Sequence, residues 1–208
     1  MTKGMFITLE GIEGAGKSTH GEFITRVLAE HGREVCFTRE PGGTNTGEAI
    51  RGILLHSRDM HIADITELTL IFAARAQHLE EVIRPALDRN AVVVCDRFTD
   101  ATYAYQGGGR GIAHEKIAVL ERLIQEGLKP DLTLLFDVDV KVGLKRARDR
   151  SSADRFESET LAFFEKIRST YLEIASAEPE RVCLINADRE PELIREDILA
   201  LLREHNLC

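Results

Sequence analysis

A chain of 208 residues with 43% hydrophobic and 30% charged residues has the composition of an ordinary folded protein with a large core. Its formal net charge of −8 argues against a broad surface for nucleic acid or for anionic membranes, so we expect neither as a partner. The four cysteines form no C-x-x-C pair, and no apolar run approaches the ~20 residues of a membrane span. Because the N-terminus also shows no signal-peptide pattern, the expected location is the cytoplasm.

The first predicted strand, residues 5–9, leads into Gly11-Ile12-Glu13-Gly14-Ala15-Gly16-Lys17-Ser18, which fits G-x-x-x-x-G-K-[ST] at every fixed position. A helical pattern over 17–31 follows, so this segment is predicted to bind the phosphates of a nucleoside triphosphate. Lys17 is expected to reach the β- and γ-phosphates, and to face solvent when no nucleotide is bound. The Ser18 hydroxyl would complete a Mg²⁺ shell. A glycine turn with a chance Lys-Ser pair is the alternative, which the strand and helix on either side disfavour.

The remaining elements alternate between strands and helices along the whole chain. Strands are predicted at 34–38, 91–95, 132–136 and 182–185, and helices at 45–56, 64–89, 114–126, 140–150, 157–177 and 191–205. Gly32 and Gly127 stand where left-handed caps would end two helices, and Pro191 suits the first turn of the last one. This pattern predicts an α/β fold of three layers with a five-stranded parallel sheet, in which residues 1–208 form one domain.

Ligands of such sheets bind beyond the carboxyl ends of the strands, and charged residues stand there. Arg39-Glu40-Pro41-Gly42-Gly43-Thr44 follows the second predicted strand, and Asp96-Arg97 follows the third. Asp96 has the placement of an acidic residue beside Mg²⁺, with a carboxylate that caps the next segment as the alternative. Arg97 could grip a phosphate with a bidentate fork, although a surface arginine at a strand end would be unremarkable.

Two later segments contain basic residues and are predicted to be flexible. Residues 145–155 carry Arg146, Arg148, Arg150 and Arg155 between helical patterns, which is typical of a mobile lid over a triphosphate or of a solvated helix end. Gly107-Gly108-Gly109-Arg110-Gly111 is predicted to be a flexible loop that binds phosphate or merely turns the chain.

Six blocks of sequence carry a resemblance to a known family: 9–18, 38–44, 72–77, 96–100, 104–111 and 154–157. Over essentially its full length the chain resembles the bacterial thymidylate kinases. The resemblance implies a P-loop kinase fold with a short arginine-rich lid at about 144–157. It also implies ATP-dependent phosphorylation of dTMP to dTDP with Mg²⁺, a step in dTTP synthesis, by a homodimer.

The resemblance also implies roles for individual residues. Lys17, Arg97, Arg150 and Arg155 would be catalytic, the segment from Gly11 to Ser18 would bind ATP, and Ser18 and Asp96 would hold the metal. The residues implied to bind dTMP are Glu13, Arg39, Arg51, Phe72, Arg75, Arg97, Thr102, Tyr105 and Gln106. Among these, Arg39, Arg51 and Arg97 would hold the acceptor phosphate. Arg75 and Thr102 would face the thymine edge with Gln106 close by, Glu13 would lie near the 3′-hydroxyl, and Tyr105 would pack on the deoxyribose.

Three positions depart from the family pattern. The family usually has an aromatic residue four positions before the base-reading arginine, but Ile71 stands there and Phe72 follows it. Both can share a helix face with Arg75, and we expect Phe72 to stack on thymine, with Ile71 as the alternative. Ala101 stands where a serine is common, and Ser151 replaces a frequent glycine of the lid.

Two other functions are also compatible with a phosphate-binding loop. A kinase for a different nucleoside monophosphate would use the same phosphate contacts and differ in the residues that face the base. A GTP-dependent switch protein is disfavoured because its usual N-K-x-D element does not occur in the chain.

Overall fold

The computed structural model describes residues 4–56, 61–150, 155–156 and 159–208, with only the backbone described at His56 and Arg150. Five strands form one parallel sheet in the order β2-β3-β1-β4-β5. The strands are β1 (Met5–Glu10), β2 (Val35–Arg39), β3 (Val92–Asp96), β4 (Leu132–Asp137) and β5 (Val182–Asn186). The predicted five-stranded parallel sheet is therefore confirmed, and each strand lies within one residue of its predicted bounds.

The helices lie between consecutive strands and after the last strand. They are α1 (Lys17–Glu30), α2 (Asn45–His56), α3 (Asp64–His78), α4 (Arg84–Asp88), α5 (Thr99–Thr102), α6 (His114–Gln125), α7 (Val140–Arg150), α8 (Leu161–Ala177) and α9 (Pro191–Glu204). A π-helical turn, Leu79–Ile83, joins α3 to α4, so the helix predicted over 64–89 is continuous. Gly32 and Gly127 adopt the predicted left-handed backbone, with φ of 75° and 87°, and Pro191 begins α9. Among the described helices, none combines the length and apolarity needed to cross a membrane.

Alternate residues of the central strands pack on opposite faces of the sheet. Ile7 and Leu9 of β1 belong to the larger apolar cluster, together with residues of α1, α8 and α9. Phe6 of β1 and Val93 of β3 belong to a second cluster, which contains Ile83 from the turn before α4. Strands covered on both faces explain the nearly continuous apolar runs in the sequence. The register pairs Leu9 with Asp96, which brings the carboxyl ends of β1 and β3 together.

Residues 107–109 of the glycine-rich segment are helical, so the prediction of a flexible loop was wrong for these residues. A π-helix, Tyr103–Gly109, continues directly from α5. A Cβ atom at Gly108 would collide with the side chain of Thr170, and one at Gly109 would collide with the ring of Phe163. The glycines therefore allow this helix to approach α8 closely, a packing constraint that composition alone does not reveal.

Candidate active site

The loop between β1 and α1 has a backbone that is shaped for anions. Gly11, Gly14 and Gly16 have φ of 130°, 72° and 89°, a region that residues with a Cβ rarely adopt. Gly16 directly precedes α1, so the free N–H groups of the first helical turn face the loop. The helix dipole adds positive potential at the same place. The loop therefore has the geometry of a phosphate site before any ligand binds.

Lys17 is folded into this loop. Its Nζ donates to the carbonyl oxygens of Gly11 and Ile12, at 2.9 and 2.8 Å, and the residue is only 7% exposed. The expectation that Lys17 faces solvent was therefore wrong, because the carbonyl groups of the loop accept its hydrogen bonds. Burial, together with the charge of Arg97, lowers the pKa of Lys17 to about 8. The ammonium is thus held beside the loop, next to the place that phosphates would occupy.

Ser18 and Asp96 are brought together, as the metal prediction requires. The Ser18 hydroxyl donates to Asp96 Oδ2 at 3.0 Å. A hydroxyl and a carboxylate beside an anion site fit Mg²⁺, which takes oxygen ligands and keeps several from phosphate and water. Across the described residues, no group of three or more His, Cys, Asp or Glu side chains could hold a metal by itself. The donor set therefore suits a metal that arrives with a nucleotide.

A cavity of about 190 Å³ opens beside the loop at the carboxyl edge of the sheet. Its wall contains many of the predicted site residues: Glu13, Gly14, Gly16, Lys17, Ser18, Arg51, Arg75, Asp96, Arg97, Thr102, Tyr105 and Gln106. The wall also contains residues that were not predicted, among them Glu40, Leu54, Phe98 and Phe156. Ala101, which replaces a common serine, lines it as well. The phosphate loop and the residues predicted to read an acceptor thus share one cavity.

Arg75 lies in the floor of this cavity and is 1% exposed. Its Nε donates to Glu40 Oε2 at 2.7 Å, and its Nη2 donates to the Phe98 carbonyl at 3.1 Å and to the Thr102 hydroxyl at 2.9 Å. Nη1 is buried and has no hydrogen-bond partner within the described part of the chain. A buried donor without a partner costs about 1–3 kcal/mol, so this atom is suited to a ligand acceptor.

Glu40 holds the Arg75 side chain in place, a role that the sequence analysis did not predict. Its second carboxylate oxygen lies 3.0 Å from Nδ1 of the buried His78. Nε2 of His78 in turn lies 2.7 Å from the Thr38 hydroxyl. The signal available in the sequence was an acidic residue directly after β2, inside the block Arg39-Glu40-Pro41-Gly42-Gly43-Thr44.

The structure favours Ile71 over Phe72 as the residue that faces a base. Ile71 lines the cavity, whereas Phe72 packs behind it in an apolar cluster with Leu68 and Ile117. The Phe72 ring centre lies 4.8 Å from the guanidinium carbon of Arg75. Phe72 therefore supports Arg75 from the side away from the cavity, and the expectation that Phe72 faces the cavity is corrected.

The structure also separates the two arginines predicted to hold phosphate beside Arg97. Arg51 lines the cavity and donates from Nη1 to the Pro41 carbonyl at 2.9 Å. Arg39 forms an ion pair with Glu48, between Nη2 and Oε2 at 3.0 Å, and its side chain is 53% exposed. The described lining residues do not include Arg39. Its predicted place in the acceptor site is therefore corrected, because Glu48 holds it outside.

Arg97, Glu13 and Tyr105 form one network at the junction of loop and cavity. Arg97 has a φ of 71° and donates from Nη2 to Glu13 Oε1 at 2.9 Å and from Nη1 to the Gly11 carbonyl at 2.9 Å. The Tyr105 hydroxyl lies 2.7 Å from both carboxylate oxygens of Glu13. The guanidinium carbon of Arg97 lies 4.7 Å from the ring centre of Tyr105. A left-handed backbone at a residue with a Cβ is uncommon and here aims Arg97 at the loop.

The buried carboxylate of Glu10 supports the same turn and was also missed. It accepts the Phe98 N–H at 2.7 Å and the Tyr171 hydroxyl at 2.8 Å, and Tyr171 in turn contacts Arg97. Burial raises the pKa of Glu10 to about 7, with the charge of Asp100 acting in the same direction. The available signal was an acidic residue between an apolar strand and the glycine loop.

The arginine-rich segment is described only in part. The side chain of Arg150 lies outside the described residues, as do Ser151, Asp154 and Glu157. Arg155 donates from Nε to the Leu54 carbonyl at 2.7 Å and from Nη2 to the buried Glu67 at 2.5 Å. The described lining residues include Phe156 but not Arg155. This geometry favours an anchoring role for Arg155 over the predicted catalytic one.

Comparison with known proteins identifies the family to which the chain belongs. The family model described as thymidylate kinase matches residues 9–198. A thymidylate kinase of Pseudomonas putida (strain GB-1) is 58% identical over 199 residues, covering 96% of this chain and 95% of that protein. A thymidylate kinase of Pseudomonas syringae pv. tomato is 56% identical over 201 residues, covering 97% and 96%. The crystal structure of thymidylate kinase from Ehrlichia chaffeensis matches with a TM-score of 0.78 at 31% identity, covering 96% of this chain and 99% of the other. The resemblance and the P-loop kinase fold are thereby confirmed, and the chain belongs to the thymidylate kinase family.

Proposed function

We propose that this protein transfers the γ-phosphoryl group of ATP to dTMP, giving ADP and dTDP for dTTP synthesis. The observation that carries this proposal is the single cavity that joins the glycine loop to Arg75, whose buried Nη1 has no partner among the described residues. The loop suits the phosphates of ATP, and the free donor suits an acceptor atom on the edge of a base. Membership of the thymidylate kinase family supports thymine as that base.

The acceptor end of the cavity is proposed to hold dTMP by three kinds of contact. Arg75 would donate from Nη1 to the thymine edge, with Thr102 and Gln106 beside it and Ile71 packed on the ring. Glu13 would accept a hydrogen bond from the 3′-hydroxyl. The ring of Tyr105 would lie against the deoxyribose, where it leaves little room for a 2′-hydroxyl.

Phosphoryl transfer in this site needs alignment and positive charge rather than covalent catalysis. An oxygen of the dTMP phosphate attacks the γ-phosphorus, and the bond from that phosphorus to the β–γ bridging oxygen breaks as ADP leaves. Arg51 and Arg97 would hold the attacking phosphate in line. Lys17 would exchange the loop carbonyls for oxygens of the β- and γ-phosphates, where negative charge spreads. Arg150 is proposed to add a further cation from the lid, which we place at residues 144–157.

A bound Mg²⁺ would neutralise charge on the β- and γ-phosphate oxygens. Ser18 and Asp96 are the residues that would hold it, since their oxygens lie 3.0 Å apart beside the loop. We also propose that the chain folds as one domain and acts in the cytoplasm.

A homodimer is the proposed assembly, and exposed apolar side chains on two packed helices support it. Ile65 of α3 is 49% exposed, and Val119 and Leu123 of α6 are 54% and 70% exposed. Ile117 of the same helix is fully buried in the core, so only part of the apolar surface of α6 is exposed. Leu123→Glu should convert the dimer to a monomer in sedimentation analysis, whereas a wild type that sediments as a monomer would overturn this assembly.

An assay of ADP release with ATP and a panel of nucleoside monophosphates tests the proposed function. We expect dTMP to be preferred over dCMP and dGMP by about 10⁴-fold in kcat/KM, because a wrong base leaves buried polar groups unpaired. The preference over dUMP should be smaller, since a missing methyl group costs only ~1–3 kcal/mol. A preference for another base would make the protein a different nucleoside monophosphate kinase. Lys17→Ala should lower the activity by ~10²-fold or more, which excludes a contaminating kinase.

A further inference from the structure

The carboxylate of Glu67, in the first turn of α3, is fully buried and lies outside the cavity wall described above. Its Oε1 accepts from Gln106 Nε2 at 2.8 Å and from Arg110 Nε at 3.3 Å. Its Oε2 accepts from Arg155 Nη2 at 2.5 Å and from Arg110 Nη2 at 3.3 Å. A buried carboxylate is tolerated where cations and hydrogen bonds surround it, so this group is fixed in place.

The two arginines that meet Glu67 come from separate parts of the chain. Arg110 follows the π-helix that carries Tyr105, and its Nη1 also donates to Glu159, just before α8, at 2.5 Å. Arg155 lies between α7 and α8 and also donates to the Leu54 carbonyl of α2 at 2.7 Å. The Glu67 carboxylate thus ties Arg155 to α3 and to the end of the π-helix.

Phe156, the residue after Arg155, connects the ion pairs of Glu67 to the cavity. The guanidinium carbon of Arg155 lies 4.5 Å from the Phe156 ring centre, and that of Arg110 lies 5.6 Å from it. Phe156 lines the cavity and meets the Tyr105 ring edge to face, with centres 5.9 Å apart. The arginines that Glu67 holds therefore fix an aromatic wall beside the tyrosine that contacts Glu13.

We propose that Glu67 is a positioning residue for dTMP, which holds Arg155 and Arg110 so that Phe156 packs on Tyr105. The inference rests on the proposed function and deepens it, since it assigns the shape of the sugar end of the site to a residue outside the cavity. Glu67 does not touch the reacting groups. Its effect is expected in the acceptor constants rather than in those for ATP.

Steady-state kinetics of Glu67→Gln test this role. Glutamine keeps the shape of the side chain but removes the charge that pairs with two arginines. We expect kcat/KM for dTMP to fall about tenfold or more, the effect of losing a charged buried contact, with KM for ATP nearly unchanged. The matched control is Glu159→Gln, which weakens one contact of Arg110 but leaves Arg155 on Glu67, so its dTMP constants should stay close to wild type. A Glu67→Gln enzyme that loses stability but keeps its KM and kcat would show a purely structural role and overturn the proposal.

A double-mutant cycle tests whether the effect passes through the aromatic wall. In a Phe156→Ala background, Glu67→Gln should lower kcat/KM for dTMP little further, because the group that it positions is already gone. Effects that multiply would overturn the proposed route. Should Glu67→Gln fail to fold, Arg155→Gln replaces it in the same cycle with the same expectations.

Limited trypsin cleavage gives a measurement that does not depend on activity. If Glu67 holds Arg155, cleavage after Arg155 should accelerate in Glu67→Gln relative to cleavage after Arg203, as judged by fragment masses. Unchanged cleavage after Arg155 would show that Glu67 does not restrain it. The wild-type rate of dTMP phosphorylation tests the proposed function. The ratio of the variant's cleavage rate to that of the wild type tests the role of Glu67. A failure of the proposed function can therefore be distinguished from a failure of the role proposed for Glu67.

Discussion

The phosphate end and the acceptor end of the site are formed by different kinds of structure. The phosphate end, Gly11–Ser18 with Asp96, is mainly backbone and consecutive residues held between β1 and α1. The acceptor end, which is the part of the cavity around Arg75 and Tyr105, is made of side chains from separate helices and strand ends. Ion pairs hold that second set in place: the pair of Arg75 with Glu40 is buried, and that of Arg97 with Glu13 is partly buried. A contiguous loop imposes its own geometry, whereas a dispersed set of side chains depends on partners that lie far away in sequence.

Phe72 at the acceptor end is the residue for which the expectation from the sequence and the structure disagree most. Phe72 is 2% exposed and lies behind Arg75, so Phe72→Ala should leave a cavity in the core. We expect the free energy of unfolding to fall by ~3–5 kcal/mol, as for other buried aromatic truncations. Urea denaturation measures this loss. Ile71→Ala is the matched control, since it should weaken dTMP binding while stability falls less. The reverse pattern would restore Phe72 as the residue that faces the base.

At the phosphate end, Lys17→Met should remove the ammonium while keeping most of the side-chain stem. The loss of a preorganised charge on the transferring group should lower kcat by ~10²–10³-fold. Because Lys17 also satisfies two loop carbonyls in the structure, circular dichroism and a melting curve should accompany the kinetics. The loss should be equal for every acceptor nucleotide, since the contact lies on the donor side. A folded variant with near-normal turnover would contradict the phosphate-loop assignment.

The features that could be predicted from the sequence are those formed by consecutive residues. The strands, the loop and the pairing of Ser18 with Asp96 could be predicted, because apolar runs and consecutive motif residues carry them. Arg39 was misplaced because its partner Glu48 lies on the next helix, and no local pattern reveals that the pair turns outward. The buried carboxylates Glu10 and Glu67 were missed because their hydrogen-bond partners lie far away in the sequence. Periodicity places residues on elements, but it does not report which buried charges meet.

Glu10 offers a test of those buried carboxylates through pH. Its folded-state pKa of about 7 lies above the ordinary value of 4.5, so the protonated form is favoured in the native protein. The stability that this group contributes is complete below pH 4.5 and is lost as the pH rises to about 7, a change of up to ~3 kcal/mol. Glu10→Gln should not show that loss. We therefore expect the free energy of unfolding of the wild type to fall relative to that of Glu10→Gln as the pH rises from 5 to 8, as measured by urea denaturation. A constant difference would mean that Glu10 does not titrate in this range.

The smallest expected effects concern Arg39 and Arg51, for which the family resemblance implies the same role. Arg51 lines the cavity, whereas Arg39 forms an exposed ion pair with Glu48. Loss of a charged hydrogen bond to the acceptor phosphate in Arg51→Ala should weaken dTMP binding by ~1.5–3 kcal/mol. Arg39→Ala removes a solvent-exposed pair, which is worth ~0–1 kcal/mol, and should change dTMP binding by less than Arg51→Ala. Calorimetric titration of both variants with dTMP measures the two effects under one set of conditions. Equal losses would mean that Arg39 leaves Glu48 and turns inward when the phosphate binds, so that the acceptor end is rearranged by its ligand. Unequal losses in the expected order would mean that the cavity seen here already has the arrangement that dTMP uses.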